Sequence, residues 1–302
     1  LKEFLKEKEI SYALGPKGRT RKKIAAASGC IVEYIGNIAF FSGTYEQRTR
    51  ARSYMEWLFA QLEGPVNVDW RSRKDCTCVE VPDECVGYIT GAKRAALGNV
   101  ESEFGVLMFF MGTRMEKGKE RSEEKPDGFE RLLIFGPTRS RKGAQLKIES
   151  CVEKKEPGHF TKGVKDHTSS YKGFSVDTMY LKDEHIQYAL GRSGATRMKL
   201  AAASGCILQY VGNLVFMAGT KKERERCRDY LNWLLDQKDG AVLIKKSEAE
   251  DRDDMISVDV PKDVIGVMTG NKGAKLRKIE ESTNTFCFMA LDGETDKSER
   301  ML

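Results

Sequence analysis

The chain has 302 residues, of which 40% are hydrophobic and 32% charged, with a net charge of only +6. This length allows more than one core. The charge balance is too mixed to indicate a basic tail or a non-specific polyelectrolyte binder, and it permits local basic patches. No run approaches the roughly 20 apolar residues of a membrane span, and the start does not read as a signal peptide. We expect no membrane partner, an intracellular location (cytoplasmic or nuclear) and, because the first residue is Leu1, an excerpt of a longer chain.

Internal repeats indicate the organisation. Residues 10–64 align without a gap onto residues 186–240, and 30 of the 55 positions are identical. A weaker match relates residues 79–97 to residues 258–276. The order is therefore A, B, A′, B′, a doubled unit of two modules.

Every module follows one pattern of elements, which is clearest in A′. In chain order the pattern predicts a strand at 174–181, a short helix at 182–190, a longer helix at 195–204, two hairpin strands at 206–211 and 214–219, and a long amphipathic helix at about 220–238. The order β-α-α-β-β-α predicts an α+β fold in which helices pack on one face of a three-stranded sheet.

Each such unit needs about 70 residues, so four small modules fit the chain better than two large domains. The predicted modules are A at 1–68, with a shortened first strand, B at 75–151, with a long charged loop at 112–130, A′ at 174–243, and B′ at 254–302, ending before its last strand and helix. The polar, turn-rich segment 152–173 is predicted to link the two halves.

Three modules carry G-x-x-G between their two short helices. The loops are Gly15-Pro16-Lys17-Gly18, Gly191-Arg192-Ser193-Gly194 and Gly270-Asn271-Lys272-Gly273. Glycine adopts positive φ readily and lets a phosphate backbone approach, so that exposed amides and the next helix N-terminus can bind phosphate oxygens. A plain helix–helix turn is the alternative for each loop, and the recurrence at one position favours the binding interpretation.

Module B departs from this pattern. Its loop is Gly91-Ala92-Lys93-Arg94, which has lost the second glycine, and Gly98 is expected to interrupt the following helix. We interpret module B as a weakened or purely structural copy.

Residues 258–288 resemble a type I KH (K-homology) domain through a strand, V-I-G-x-x-x-G-x-x-G, L-R-x-I-x-x-x-T and a second strand. Module A′ is similar over its whole length, so the resemblance covers nearly the entire chain. It implies tandem KH modules, each a three-stranded antiparallel sheet with three helices on one face. In A and A′ the glycine of V-I-G is replaced by Ser11 and Gln187.

The resemblance also implies a groove that holds about four unpaired nucleotides. The three G-x-x-G loops would clamp the backbone, and further phosphate contacts would come from Arg19, Arg21, Arg192, Arg197, Lys272, Lys275 and Arg277. The groove floor would include Ile10 with Ala13, Ile186 with Ala189, and Val264, Ile265 and Val267. Gly266, the glycine of V-I-G, would allow the backbone to approach a base. On the second strand, Ile31 and Glu33, Ile207 and Gln209, and Phe286 and Phe288 would face the bases.

Metal and enzymatic functions find little support. The nearest metal motif is Cys76 and Cys78 followed by Cys85, but no CxxC pair or nearby histidine completes it. No P-loop, HExxH or dinucleotide motif occurs, and the three histidines lack matched partners. We expect reduced cysteines, no metal, no cofactor and no enzymatic activity.

Three features bear on packing. The small residues at 25–28 and 201–204 fit either close docking of a neighbouring module or plain helix propensity. The arginines at 48, 50 and 52 and at 224, 226 and 228 are expected on a solvated surface. Trp57 and Trp233 are expected to be core or inter-module anchors.

The first hypothesis is a non-enzymatic protein that binds single-stranded RNA through several KH modules in tandem. Two alternatives remain open at this point. The modules could form a scaffold for protein–protein assembly or self-association in a ribonucleoprotein, or they could bind single-stranded DNA, which differs in its 2′-hydroxyl groups.

Overall fold

The computed structural model describes residues 1–112, 128–291 and 299–301, and it divides into two compact units, residues 1–162 and 163–302. Most of the predicted loop at 112–130 lies outside the described residues. Modules A and B form the first unit, and modules A′ and B′ form the second.

The first unit contains the pattern β-α-α-β-β-α twice. Module A consists of β1 (Lys2–Phe4), α1 (Glu7–Leu14), α2 (Arg19–Ser28), β2 (Ile31–Ile35), β3 (Ile38–Ser42) and α3 (Tyr45–Glu63). Module B consists of β4 (Cys76–Pro82), α4 (Asp83–Thr90), α5 (Ala95–Phe104), β5 (Leu107–Phe110), β6 (Phe129–Phe135) and α6 (Thr138–Lys155). Helix α5 continues through Gly98, so the expected interruption there is wrong.

The second unit repeats this pattern in module A′, and the described part of module B′ follows it as far as its last strand. Module A′ consists of β7 (Ser175–Tyr180), α7 (Asp183–Leu190), α8 (Ala195–Ser204), β8 (Ile207–Val211), β9 (Leu214–Gly219) and α9 (Lys221–Asp239). Then follow β10 (Val242–Leu243) and α10 (Lys246–Glu250), and module B′ consists of β11 (Val258–Asp259), α11 (Lys262–Thr269), α12 (Ala274–Thr283), β12 (Met289–Leu291) and β13 (Glu299–Met301).

The predicted α+β class is confirmed. Three modules contain antiparallel three-stranded sheets in the orders β1-β3-β2, β4-β6-β5 and β7-β9-β8. The fourth sheet has the order β10-β12-β13-β11, with β10 added in parallel at the edge. The expectation that B′ ends before its last strand is wrong, because β13 pairs with both β11 and β12.

Local signals in the sequence explain where the long helices begin. The Thr44 hydroxyl accepts from the Gln47 amide, and the Gln47 side chain accepts from the Thr44 amide. Thr220 and Glu223 form the same capping box at the start of α9. Each box satisfies amides that have no partner within the helix.

The second module of the first unit docks its sheet on the helices of the first module. Alternate residues of β5 and β6 point to opposite faces. Met108, Leu132 and Ile134 lie in the core of module B itself. Leu107, Phe109, Leu133 and Phe135 lie in the core of module A. The sheet of module B is therefore covered on both faces, which fixes the two modules as one body.

An aromatic and ionic cluster anchors this docking. The Trp57 ring on α3 lies 4.8 Å from Phe135, and the Arg73 guanidinium lies 4.8 Å over the Trp57 ring. Arg73 donates to both Asp75 carboxylate oxygens at 2.9 and 2.7 Å, and the Tyr54 hydroxyl donates to Asp75 at 2.8 Å. Trp57 is thus an inter-module anchor, as expected from the sequence.

The second unit contains the same cluster. Trp233 packs 5.7 Å from Phe288, with the Arg252 guanidinium 5.1 Å from the Trp233 ring. Arg252 donates to both oxygens of Asp254, each at 2.9 Å, and the Tyr230 hydroxyl donates to the same carboxylate at 3.0 Å. The docking interaction was therefore duplicated together with the modules.

A buried ion pair forms a second anchor in each unit. Lys23 of α2 lies 3.2 Å from both oxygens of Glu101, whose carboxylate also accepts from the Met108 amide at 2.8 Å. Lys199 and Glu280 form the matching pair at 3.0 Å. Because hydrogen bonds satisfy each buried carboxylate, the pair specifies one orientation of the two second helices.

The predicted linker at 152–173 is divided between the two units. Helix α6 continues to Lys155, and His167 forms an antiparallel bridge with Thr178 of β7. The segment after residue 163 is held by Arg224, whose guanidinium donates to the carbonyls of Ser169 and Tyr171, both at 2.9 Å. Ordered backbone therefore occupies much of this range.

The expectation of a solvated surface for the arginine triplets is wrong for Arg224. Its side chain is fully buried and lies 2.8 Å from the Asp177 carboxylate. Arg141 is the matching residue in module B, and its guanidinium donates to the carbonyls of Gly136 and Cys76 at 2.9 and 2.6 Å. This arginine ties the start of the closing helix to the first strand.

No helix within the described ranges is long and apolar enough to cross a membrane.

Replacing Asp75 with asparagine is expected to lower the free energy of unfolding of the first unit by about 2 kcal/mol at neutral pH, since hydrogen bonds to charged groups are lost. Burial alone raises the pKa of Asp75, but the hydrogen bonds from Arg73 and Tyr54 and the guanidinium charge together hold that pKa below its ordinary value. The carboxylate contribution is therefore present at neutral pH and lost as the pH falls through the folded-state pKa.

Urea denaturation at neutral and at acid pH measures this effect. The difference in free energy of unfolding between wild type and Asp75→Asn should disappear at acid pH. The control Asp69→Asn, at an exposed position, should have the same free energy of unfolding as wild type at both pH values. A gap that persists below the aspartate range would contradict the assignment.

Candidate nucleic-acid interface

All four modules hold the loop between their two short helices in one conformation. In modules A, A′ and B′ the 3-10 turns Pro16–Gly18, Arg192–Gly194 and Asn271–Gly273 connect the helices. Both loop glycines have positive φ in each case: 67° and 72° in module A, 70° and 79° in module A′, and 70° and 74° in module B′. Left-handed positions of this kind turn successive amides toward one side, as in anion-binding turns.

The two glycines of each loop serve different purposes. A Cβ on Gly15 would lie 2.2 Å from the Thr20 Oγ1 atom, so the fold itself requires this glycine. A Cβ on Gly18 would meet no atom within 4 Å. The second glycine therefore leaves open space beside the backbone.

Module B shows that the fold tolerates a side chain at the second position. Arg94 occupies it with φ 62°, and Lys93 before it has φ 49°. A non-glycine residue in this region costs about 1 kcal/mol or more. The loop of module B thus keeps the same backbone conformation although it has lost its second glycine. It differs from the other three loops in having a side chain at that position.

The predicted base-facing residues of the second strands lie on the wrong face. In module A, Ile31 is 66% exposed on the outer side of the sheet, while Val32 and Tyr34 point toward the helices. In module B′, Phe288 packs against Trp233 of the preceding module. Because side chains alternate along a strand, an error of one residue in register exchanges the two faces.

The correction applies to the whole set. Ile31, Glu33, Ile207, Gln209, Phe286 and Phe288 lie on the outer or docking face of their sheets, and the helix-facing residues are Val32, Tyr34, Leu208 and Tyr210. This correction does not affect the predicted floor residues on the first helices. Ala13 and Ala189 are buried, and Ile10, Ile186, Val264 and Ile265 are half-buried.

Tyrosines cross the groove between the first helix and the second strand in A and A′. The Tyr34 hydroxyl donates to the Ala13 carbonyl at 3.3 Å, and the Tyr210 hydroxyl donates to the Ala189 carbonyl at 3.2 Å. Burial raises the pKa of Tyr34 to about 12, so the hydroxyl remains a donor at neutral pH. These bonds narrow the groove.

Arginines cross the same groove near its loop end. Arg21 donates to the Val32 carbonyl at 3.0 Å, and Arg197 donates to the Leu208 carbonyl at 3.0 Å. In module B, Arg94 reaches the corresponding carbonyl, that of Met108. Arg21 and Arg197, predicted as phosphate contacts, are therefore engaged by the fold.

Module B′ has a more open groove. Among the side chains that the structure describes there, no arginine donates to the carbonyl of Cys287, which matches Leu208. A Cβ on Gly266 would meet no atom within 4 Å, and Val267 is 64% exposed. Lys275 lies beside the loop and donates to the Val267 carbonyl at 2.9 Å.

The remaining predicted cations lie in two groups. Arg192 is exposed in its loop, whereas Lys17 and Arg19 line a cleft between modules A and B. Arg277 lines the matching cleft between modules A′ and B′. Lys272 belongs to the loop turn by its backbone. The predicted site residues thus divide between a groove in each module and a cleft between modules.

The described residues include no group of histidine, cysteine or acidic side chains that could hold a metal ion. Cys76 and Cys78 lie half-buried on β4, and burial raises the pKa of Cys76 to about 12 and that of Cys78 to about 11. Neither thiol is therefore ionised at neutral pH.

No protein-family model matches the sequence. No curated protein matches it either. Similar solved structures include Dim2p from Pyrococcus horikoshii OT3, with 13% identity and a TM-score of 0.28 over 53% of this chain and 90% of that chain. The a/eIF2alpha-aDim2p-rRNA complex from Pyrococcus horikoshii OT3 gives 14% identity and a TM-score of 0.28 over 55% and 89%.

A protein of unknown function from Aeropyrum pernix is similar with 12% identity and a TM-score of 0.27, over 55% of this chain and 84% of that chain. The fold class of this protein therefore rests on its own elements and sheet orders.

Several residues of this region have weak signals in the sequence. The ion pair of Lys23 with Glu101 joins residues that are 78 positions apart in the sequence. The role of Arg94 depends on which acceptor its flexible side chain reaches. Lys22 could have been found, since Arg19, Lys22, Lys23 and Ala26 follow the spacing of one helix face.

Gly15→Ala is expected to destabilise the first unit more than Gly18→Ala. Both changes place alanine at positive φ, at a cost of about 1 kcal/mol, but only the first also creates an overlap with Thr20. Thermal or urea unfolding of both variants measures the difference. Equal losses would show that the Thr20 contact does not restrict the first position.

Proposed function

We propose that this protein is a non-enzymatic single-stranded RNA-binding protein built of tandem type I KH modules. The G-x-x-G loops of A, A′ and B′ hold backbone phosphates, and module B′ provides the principal groove. Module B serves mainly as a docking partner for module A.

The main support for the proposal is the second glycine of each G-x-x-G loop. Module B keeps the loop conformation with Arg94 at this position, so packing does not require the glycines at 18, 194 and 273. A bare backbone in open space, at the start of a helix, is suited to close approach by an anion. In modules A′ and B′ the atom nearest to a Cβ placed on this glycine is the end of an arginine side chain, at 3.9 Å from Gly194 and 3.5 Å from Gly273. The same half-buried arrangement in three modules supports a ligand with repeated phosphates.

The groove of module B′ supports a single strand rather than a duplex. Half-buried Val264 and Ile265 and exposed Val267 lie on the helix that precedes the loop. Unstacked bases need such apolar surface beside a phosphate clamp, whereas a duplex keeps its bases stacked inside. In A and A′ the crossing tyrosine and arginine leave less room for bases.

Docking of the modules in pairs adds to binding by each module. Sites held on one body bind successive nucleotides with a high effective concentration, so that weak grooves combine into useful affinity. The fixed orientation within each pair also reduces the ordering that binding requires.

Replacing loop residues with aspartate tests the proposal. Asn271→Asp with Lys272→Asp in module B′, Pro16→Asp with Lys17→Asp in module A, and Arg192→Asp with Ser193→Asp in module A′ place negative charge beside the phosphates. We expect the B′ variant to weaken binding of a fluorescent single-stranded RNA at least tenfold, about 1.4 kcal/mol, and the combined variant to abolish it.

Module B supplies the matched control. Ala92→Asp with Lys93→Asp introduces the same charges into the loop that carries Arg94 in place of its second glycine, and it should leave affinity within about twofold of wild type. Unchanged binding by the combined variant would refute the clamp. Wild-type protein that purifies without nucleic acid and binds no RNA would favour the assembly alternative, and equal binding of matched DNA would favour the DNA alternative.

A further inference from the structure

Each unit contains a cleft between the second helices of its two modules. In the first unit, Arg19, Lys22, Lys23 and Ala26 of α2 form one wall, and Glu101, Ser102 and Gly105 form the other. Pro16 and Lys17 complete the lining from the G-x-x-G loop of module A. In the second unit, α8 and α12 form the matching cleft.

The docking interaction shapes both clefts. Lys23 and Glu101 form a pair in the first, and Lys199 and Glu280 form the matching pair in the second. A Cβ on Gly105 would lie 3.2 Å from the Ala26 Cβ, so the two walls of the first cleft approach closely there. The geometry therefore follows from packing and needs none of the other charges.

The charges of the two clefts differ although their geometry is repeated. The first cleft has four cationic side chains and one carboxylate, a net charge of +3. The second has two of each sign, Lys199 and Arg277 against Glu280 and Glu281, and no net charge. At the positions of Arg19 and Lys22, the second unit has Ala195 and Met198.

The extra cations of the first cleft are available to a ligand. Lys17, Arg19 and Lys22 are exposed, and no residue in the described part of the chain pairs with them. Like charges along one wall repel each other and are stabilised by a polyanion. A solvated helix face is the simpler interpretation of such charges, but it gives no reason for their restriction to one copy of the cleft.

We propose that the cleft between modules A and B binds backbone phosphates of the RNA strand, as a site separate from the groove between α1 and β2. Lys17 connects the two sites because it belongs to both the loop and the cleft. The strand then passes over Arg19 and Lys22 along the α2 wall of the cleft. This inference rests on the proposed RNA binding and adds the path of the backbone.

The double variant Arg19→Ala with Lys22→Met tests the cleft. It installs the residues found at 195 and 198, which favour a helix, so the fold should persist. For single strands, the slope of log K against log salt changes by about 0.7 for each phosphate contact. We expect the slope to become shallower by about 1.4, with several-fold weaker binding at low salt.

Lys154→Ala with Lys162→Met is the matched control, because it removes two exposed cations elsewhere in the same unit. Its slope should equal that of wild type. Equal slopes for both double variants would overturn the cleft site while leaving the loop proposal intact. Failure of wild-type protein to bind RNA would overturn the proposed function and the cleft with it.

Thermal unfolding of each variant checks the fold. If the double variant is unstable, Arg19→Ala and Lys22→Met measured singly should each reduce the slope by about 0.7. Single variants that retain the full wild-type slope would overturn the cleft.

Discussion

The structure depends on one interaction, the docking of the second module's sheet on the helices of the first module. A three-stranded sheet with helices on one face leaves its other face uncovered. Phe109 and Phe135 on that face of module B pack against Trp57, and the Arg73 guanidinium, which is paired with Asp75, lies over the Trp57 ring. Module A shows the uncovered state, with Phe4, Ile31 and Ile35 about two-thirds exposed.

Docking also creates the surfaces on which function is proposed. It brings the second helices of two modules together and leaves a cleft between them in each unit. The duplication copied the anchors, because Tyr230, Trp233, Arg252 and Asp254 repeat the cluster of the first unit. It did not preserve the charges around the cleft. In our proposal, the cleft of the first unit binds backbone phosphates of the RNA, and the groove of module B′ binds its bases.

The sequence predicted the α+β class, the three G-x-x-G loops and the tryptophan anchors, since these follow from local patterns and repeats. It placed Ile31 and Phe288 on the wrong face, because alternation is visible along a strand but the choice of face depends on what packs above it. Arg224 was expected in solvent and is fully buried, since Asp177 and four backbone carbonyls compensate its charge.

The sequence by itself determined where the glycine loops occur and that the two-module unit is doubled, because glycine conformation and internal identity are local properties. Only the tertiary structure decided which grooves are crossed by side chains of their own module. Arg94, Arg21 and Arg197 reach strand carbonyls across their grooves, and the direction taken by a long flexible side chain is set by distant acceptors. The pairing of Lys23 with Glu101, and hence the cleft, likewise required the fold that brings them together.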